Sequence, residues 1–437
     1  MMKNIWCPLP WSHLGVKNNG TLRMCSHSQS AGVGNTVLHQ DGKSLTIENL
    51  DDTDVLNCET LKQVRRDFMA GNFPSQCKRC QVEKSAGHRS RDEWETLKHH
   101  HILTRDEALS KTLPDGTYTE PKILSLDLRV GHQCNLRCTM CFPGEATKWY
   151  KDYEEIMQEK TFWVDGKEYD LNIRNADFDW ARSEEKVDSL IRAGKYIDKI
   201  KFGGGEPLLL KHCHSLVRKL VEADYAKNIE IEYSSNLTIF PDELWELWKN
   251  FREVKICSSL DAYGTANEAI RYPSKWNVVE SNLDMLDNTP DNMTIFTSTT
   301  ISMLSLEHWA DLLLWLDSKN FKKVNSKTHN FSASHPVYNP KYLNIAILDE
   351  ENFNNVINVQ KSKIENSTSN KKESLLQKIE FYEKFYNFMK VKDDVDIYRK
   401  QFAERFDRFA KNQNQDWDSI FPMASNIAKQ WKEQYGL

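Results

Sequence analysis

The sequence lacks any apolar run approaching the roughly 20 residues that a helix needs to cross a bilayer. It also lacks charge of one sign. Its 58 Lys and Arg stand against 63 Asp and Glu, a net charge of -5, so no global field favours nucleic acid or an anionic membrane. Only a local basic groove remains open to such a partner. The start, MMKNIWCPLPW, has no cationic segment followed by an apolar stretch, so the expected compartment is the cytoplasm. Without an export signal, ten cysteines diluted over 437 residues do not read as a disulfide framework. Clustered cysteines in a reducing compartment point instead to metal. What is present is core material: 39% hydrophobic residues, 28% charged residues, 13 Trp and 19 Phe fit a folded protein of two or three domains.

Four cysteines, Cys7, Cys25, Cys77 and Cys80, lie in the first ninety residues among Gly, Ser and Asn turn formers, which predicts a small loop-rich domain. A polar stretch (HHHILTRDEALSKTLPDGTYT) leads from it to a boundary near residue 120. Beyond it, strands are predicted at 123–130, 197–202, 229–233, 254–259 and 293–300, with a weaker one at 329–333. Helices are predicted between them at 211–223, at 241–251, where Pro241 stands at an N-terminal position, and at 306–316 with a Trp309, Leu313, Leu316 stripe. Alternating strands and helices imply parallel βαβ units, here an α/β partial (β/α)6 barrel. After residue 345 the chain reads as helical, with Leu375, Ile379, Tyr382, Tyr386 and Met389 in one stripe and Phe402, Phe406 and Phe409 in another; both are read as packing. The NSTSNKK segment at 366–372 reads as an exposed loop. The expected organisation is 1–95, a linker over 96–120, the barrel over 121–345 and a helical extension over 346–437.

On the first barrel strand Ser125, Asp127 and Arg129 share one face, while Leu126, Leu128 and Val130 share the other. A purely structural barrel fills its lumen with branched apolar side chains. Polar residues on one face fit a lumen that holds a polar ligand; an edge strand facing water gives the same pattern.

The most specific motif is GHQCNLRCTMC, which sets Cys134, Cys138 and Cys141 in a C-x3-C-x2-C array after that strand. Three thiolates ligate three irons of a [4Fe–4S] cube and leave the fourth open to a ligand. A structural zinc needs four ligands, and His132 is the local residue that would complete it. Further along stand Gly203-Gly204-Gly205-Glu206-Pro207, Ser234-Ser235-Asn236, Ser259-Leu260-Asp261, and Arg271 in AIRYP. Glycines let backbone approach a ligand, a carboxylate accepts from an ammonium, and a planar guanidinium suits a carboxylate.

In that order these motifs resemble the radical S-adenosylmethionine (SAM) superfamily. The resemblance implies that the open iron binds the amino and carboxylate groups of SAM, and that the reduced cluster breaks the sulfonium bond to give methionine and a 5′-deoxyadenosyl radical. It gives Gly204, Gly205 and Glu206 the SAM amino group, and Ser259 and Arg271 its carboxylate or ribose. Asn236, Asp261, Thr300 and Ser302 match further positions of the family pattern. Met140, where the family has an aromatic residue, and Ala262, where Gly often stands, depart from it near adenine.

The second set, Cys7, Cys25 and the Cys77-x2-Cys80 pair, completes either a tetrahedral zinc or a fully ligated [4Fe–4S] cluster. With CPLPW and GTLRMC it resembles the twitch domain, the shortened relative of the SPASM domain that carries one auxiliary cluster in radical SAM enzymes. In the best-known members that domain follows the barrel; here the matching residues precede it. The HPVYNPKYLNIAIL stretch also looks like that group. Cys58, Cys213 and Cys257 have no partners at ligand spacing, and His212, Cys213 and His214 are read as structural.

The resulting expectation is a radical SAM oxidoreductase or peptide-modifying enzyme, with SAM, a SAM-binding [4Fe–4S] cluster and an auxiliary one as cofactors. Its implied partners are a reductase, flavodoxin or ferredoxin as electron donor and a small-molecule or peptide substrate, with no membrane and no nucleic acid. The rival from another class is a zinc-stabilised, non-catalytic binding protein, with RNA as its partner, on a barrel that has lost catalysis.

Overall fold

The structure, a computed structural model, describes residues 5–28, 36–50, 54–85, 87, 90–164, 167–171, 178–326, 333–389 and 394–437. Ten strands are found among them: β1 (His13–Val16), β2 (Leu22–Arg23), β3 (Ser125–Arg129), β4 (Thr161–Val164), β5 (Lys167–Asp170), β6 (Lys199–Gly203), β7 (Glu230–Ser235), β8 (Glu253–Ser259), β9 (Met293–Ile301) and β10 (Ala333–Pro336). Eight of them form one sheet in the order β10-β9-β8-β7-β6-β3-β1-β2, and β4 and β5 form a separate antiparallel hairpin. The pairs β3 with β6, β6 with β7, β9 with β10 and β1 with β3 are parallel, whereas β1 with β2 is antiparallel. Parallel neighbours need crossovers, and helices supply them. The result is an α/β architecture with a mostly parallel central sheet, consistent with a partial barrel, and a helical C-terminal region.

All six predicted strands are present, as β3 and β6 to β10. The sixth begins at Ala333, and 329–332 of its expected span lie outside the described residues. The predicted helices appear as Lys211–Glu222, Asp242–Trp248 and Trp309–Ser318, the last preceded by a tight turn at Leu306–His308. What the sequence reading did not include is β1 and β2. They are only four and two residues long, too short for a periodic signal, and β1 finds its place by pairing His13 with Ser125 and Val16 with Leu128 across more than a hundred residues of chain.

By its internal contacts the chain divides into two compact units. One comprises 1–133, 161–233 and 241–254; the other comprises 134–160, 234–240 and 255–437. Strands β7 and β8 each contribute residues to both.

In the first unit β3 is flanked by β1 and β6, so its polar face does not belong to an edge strand. Ser125 and Asp127 are each 3% exposed and engaged by the protein itself: the His13 Nδ1 lies 2.8 Å from Ser125 Oγ, and Arg23 donates to Asp127 at 3.4 Å. Burial alone would raise the Asp127 pKa. The cations Arg23, Arg129, Lys201 and Arg91 outweigh it and hold the carboxyl well below its ordinary range.

Arg65 is the other organising charge of this unit. It is fully buried, on the helix Glu59–Met69, and has no carboxylate within its hydrogen-bonding reach among the bonds it makes. Its guanidinium donates to Pro10 O at 3.1 and 2.8 Å, Asn57 Oδ1 at 2.8 Å, Gly116 O at 3.0 Å and Leu56 O. Three separate loops are thereby tied to one side chain, including the one that follows Cys7. An Arg65→Met variant keeps the packing volume and leaves three buried carbonyls short of a donor, at about 1–3 kcal/mol for each. A fall of the urea midpoint with an unchanged slope is the expected result.

The second unit contains the helices Glu350–Glu365, Lys372–Met389, Val395–Gln413 and Pro422–Tyr435. Leu375, Ile379, Tyr382 and Tyr386 are buried, as are Phe402, Phe406 and Phe409, in agreement with packing stripes; the Met389 side chain lies outside the described residues. Residues 366–371 connect the first two of these helices, as the loop reading expects.

Candidate functional site

In the first unit, four thiols from distant parts of the chain line one cavity together with Leu9, Met24, Phe68 and Phe73. Cys7 arrives ahead of the turn Leu9–Ser12, Cys25 just after β2, and Cys77 and Cys80 at the start of the helix Lys78–Ser85. Burial pushes the Cys7 thiol up, and the charges of Cys77 and Cys25 add to it. Cys77 is raised by burial and then by Cys25 and Cys80, and Cys80 is pushed up to about 12 by burial, Asp92 and Cys25. At Cys7, Cys77 and Cys80 a thiolate therefore costs more because other sulfurs are near. Such a set ionises when a cation offsets the charge, and four close thiolates in an apolar setting fit a [4Fe–4S] cluster as well as zinc. His27 and Glu83 approach from the side: their ligand atoms and the Cys80 sulfur lie within 4.8 Å of one another.

The glycine loop also belongs to this unit. At the end of β6, Gly204 has φ +79°, and a Cβ there would lie 2.5 Å from Asn18 Oδ1 and 2.6 Å from Gly131 O. A Cβ on Gly205 would lie 2.2 Å from Gln133 O. Only glycine permits this approach. It allows the Glu206 N–H to donate to Gln133 O at 3.0 Å, and Gln133 is the residue that precedes Cys134 in the chain. Glu206 is 1% exposed, and its Oε1 accepts the Leu208 N–H at 3.2 Å. Behind the loop, His214 contacts Leu208 O at 3.0 Å through Nε2 and Glu243 through Nδ1. His214 and the fully buried Cys213 thus support the loop from the helix Lys211–Glu222. His132 faces Asp179, with Nδ1 3.4 Å from the carboxylate, and packs against Phe178.

In the second unit, Cys134, Cys138 and Cys141 share one irregular loop; Cys138 is buried and the other two half-buried. Backbone bonds pin the loop on both sides of Cys138. The Arg137 N–H donates to Tyr272 O at 2.7 Å and the Thr139 N–H to Ile270 O at 2.9 Å. This pairing sets Arg271 opposite Cys138, with Nη1 4.0 Å from the sulfur. A hydrogen bond from the Cys141 thiol and then the Arg271 charge hold the Cys138 pKa down against burial, while the same hydrogen bond and burial raise that of Cys141. Arg271 is held in turn by Asp261, Nε to Oδ2 at 2.7 Å, and the other carboxylate oxygen of Asp261 accepts the Thr300 N–H at 2.8 Å. Asp261 is fully buried and follows the end of β8, where Ser259 is the last strand residue. Asn236 donates to Asn135 Oδ1 at 3.0 Å, reaches Cys134 Sγ at 3.9 Å and accepts from Thr238. Ser302 is fully buried and caps a turn with Ser305.

Sequence reasoning missed the support of this loop. Thr147 accepts the Cys134 N–H at 3.2 Å, and Trp149 Nε1 donates to Cys138 O at 3.1 Å. The Trp149 ring meets Phe409 of the helix Val395–Gln413 edge-on at 5.8 Å, and the Tyr342 hydroxyl reaches Thr139 O at 3.4 Å. One signal was available for Phe409, which stands in the Phe402, Phe406 and Phe409 stripe. Periodicity shows that such residues pack and leaves open what they pack against.

Residues 128–316 match the family model of the Radical SAM superfamily. The span contains the three-cysteine loop, the glycine loop, Asn236, Ser259, Asp261, Arg271 and Thr300. No curated protein matches the chain. No helix among the described residues is long and apolar enough to cross a membrane.

Proposed function

We propose that the radical SAM domain matched at residues 128–316 serves an enzyme in which Cys134, Cys138 and Cys141 hold a SAM-binding [4Fe–4S] cluster and Cys7, Cys25, Cys77 and Cys80 hold an auxiliary one. The observation that carries this reading is the three-thiol loop with the Asp261-anchored Arg271 guanidinium set against its central cysteine. The bound cluster and SAM supply a 5′-deoxyadenosyl radical that takes hydrogen from the substrate.

The chain's own residues do the placing. Glu206, on a loop whose glycines allow close backbone approach, accepts from the SAM amino group. Arg271, fixed by Asp261, donates to a SAM oxygen as a preset fork, and Asn236, Ser259 and Thr300 are further candidate SAM contacts. For the second donor set, the four thiols of one cavity, the resemblance to the twitch domain favours a closed cluster in a domain over 1–95, followed by a linker over 96–120, the barrel over 121–345 and the extension over 346–437. The reaction is an oxidation or a peptide modification on a small molecule or peptide, in the cytoplasm, with a reductase, flavodoxin or ferredoxin as electron donor. The Radical SAM match does not favour a non-catalytic zinc protein. Anaerobic incubation with SAM, reductant and cell extract tests the reading: 5′-deoxyadenosine forms and one component of the extract changes mass.

Metal content is the simplest check. Three plus four clustered cysteines predict about eight irons per chain after anaerobic reconstitution with iron and sulfide, two cubes of four. Stoichiometric zinc with little iron would overturn both site assignments.

A further inference from the structure

The helix Arg91–His99 begins at the four-thiol cavity, and its first two residues, Arg91 and Asp92, line it. After burial, the Asp92 carboxylate is the largest influence on Cys80, and it raises the thiol pKa. Arg91 has a side chain only 15% exposed; it bonds to Ser26, next to Cys25, and pairs through Nε with Glu95 at 3.3 Å. Glu95 lies one turn further along the helix and is not among the residues that line the cavity, whereas Arg91 is. Burial disfavours the guanidinium charge, yet Glu95, Cys25, Asp127 and Cys7 together keep Arg91 cationic. The opposing carboxylate of Asp92 is paired with Lys84 and Ser90.

The Arg91 guanidinium thus brings a fixed positive charge to the wall of the cavity that the four sulfurs line. A four-thiolate [4Fe–4S] centre becomes one unit more negative when it takes an electron, so fixed positive charge and hydrogen bonds to its sulfurs favour the reduced form. We infer that the Arg91 guanidinium, at the start of the helix Arg91–His99, raises the reduction potential of the N-terminal centre and fits it to accept an electron. This rests on the reading of that centre as a cluster. Arg91 is a positioning and tuning residue that touches no reacting atom.

The test is an EPR-monitored redox titration of the reconstituted full chain, with a Cys134, Cys138 and Cys141→Ala variant used to assign the N-terminal signal. Arg91→Gln shifts the midpoint of that signal to more negative potential, Arg91→Lys restores most of it, and Glu95→Gln shifts it the other way because it removes the guanidinium's counter-charge. If Arg91→Gln loses iron, Glu95→Gln and Arg91→Lys carry the comparison. Midpoints equal to the unsubstituted protein's in Arg91→Gln and Glu95→Gln, with iron retained, would sink the inference. Zinc in place of a second EPR-active centre would instead remove the cluster reading beneath it.

Discussion

Replacing Cys134, Cys138 and Cys141 by Ala abolishes 5′-deoxyadenosine formation, whereas replacing Cys77 and Cys80 leaves uncoupled SAM cleavage and removes product. The asymmetry follows from ligand count. A three-thiolate cube keeps one iron open for SAM, while a four-thiolate cube has none and acts on substrate or on electrons. The structure keeps each set within its own unit, with the three-thiol loop in one and the four-thiol cavity in the other. Loss of a centre also removes its binding energy from the stability of the surrounding loops. Iron content and circular dichroism are therefore measured on the same samples, and each substitution is expected to leave about four irons. A folded Cys77 and Cys80 variant that lacks its second cluster and still turns substrate over at the original rate would reduce that domain to a scaffold.

SAM affinity falls about ten- to a hundredfold in Glu206→Ala, the result of losing a charged hydrogen-bond partner at about 1.5–3 kcal/mol. Glu206 is the cleaner of two probes, because it is not a proposed iron ligand and its substitution leaves the cluster absorbance in place. Arg271→Ala weakens SAM binding by a similar factor, with an added effect. Its Nη1 is 4.0 Å from Cys138 Sγ and its Nε pairs with the fully buried Asp261. The alanine variant strands that carboxylate and removes positive charge beside a cluster sulfur, so its spectrum changes too. Arg271→Lys keeps the charge without the two-pronged fork and falls between. Equilibrium binding of SAM to the reconstituted protein reads all three, and unchanged affinity in Glu206→Ala and Arg271→Ala would show that neither residue holds the cofactor.

Much of the barrel was legible because its signals are local. Alternation and β-branched runs mark a strand wherever it stands, and the five strands β3 and β6 to β9 appear within a few residues of their expected bounds. The cysteine spacing around Cys138 was legible for the same reason, since three thiols within eight residues of chain are close in any compact loop. His132 and Arg271 were less so. Sequence offered His132 as a fourth metal ligand, and the structure sets it against Asp179; the resemblance offered Arg271 for the SAM carboxylate or ribose, and the structure adds its Asp261 and Cys138 neighbours.

By itself, then, the sequence determined the α/β class, the order of the motifs and the residues eligible to bind metal, because periodicity and spacing act over a few residues. Only the tertiary structure decided that β1 joins the central sheet beside β3, that Cys7, Cys25, Cys77 and Cys80 share one cavity, and that Trp149 meets Phe409 behind the three-cysteine loop. The separations reach 112 positions from His13 to Ser125, 73 from Cys7 to Cys80 and 260 from Trp149 to Phe409. Short-range propensity carries no information about such pairs; burial of apolar surface and satisfaction of buried polar groups select among them only once the whole chain has collapsed.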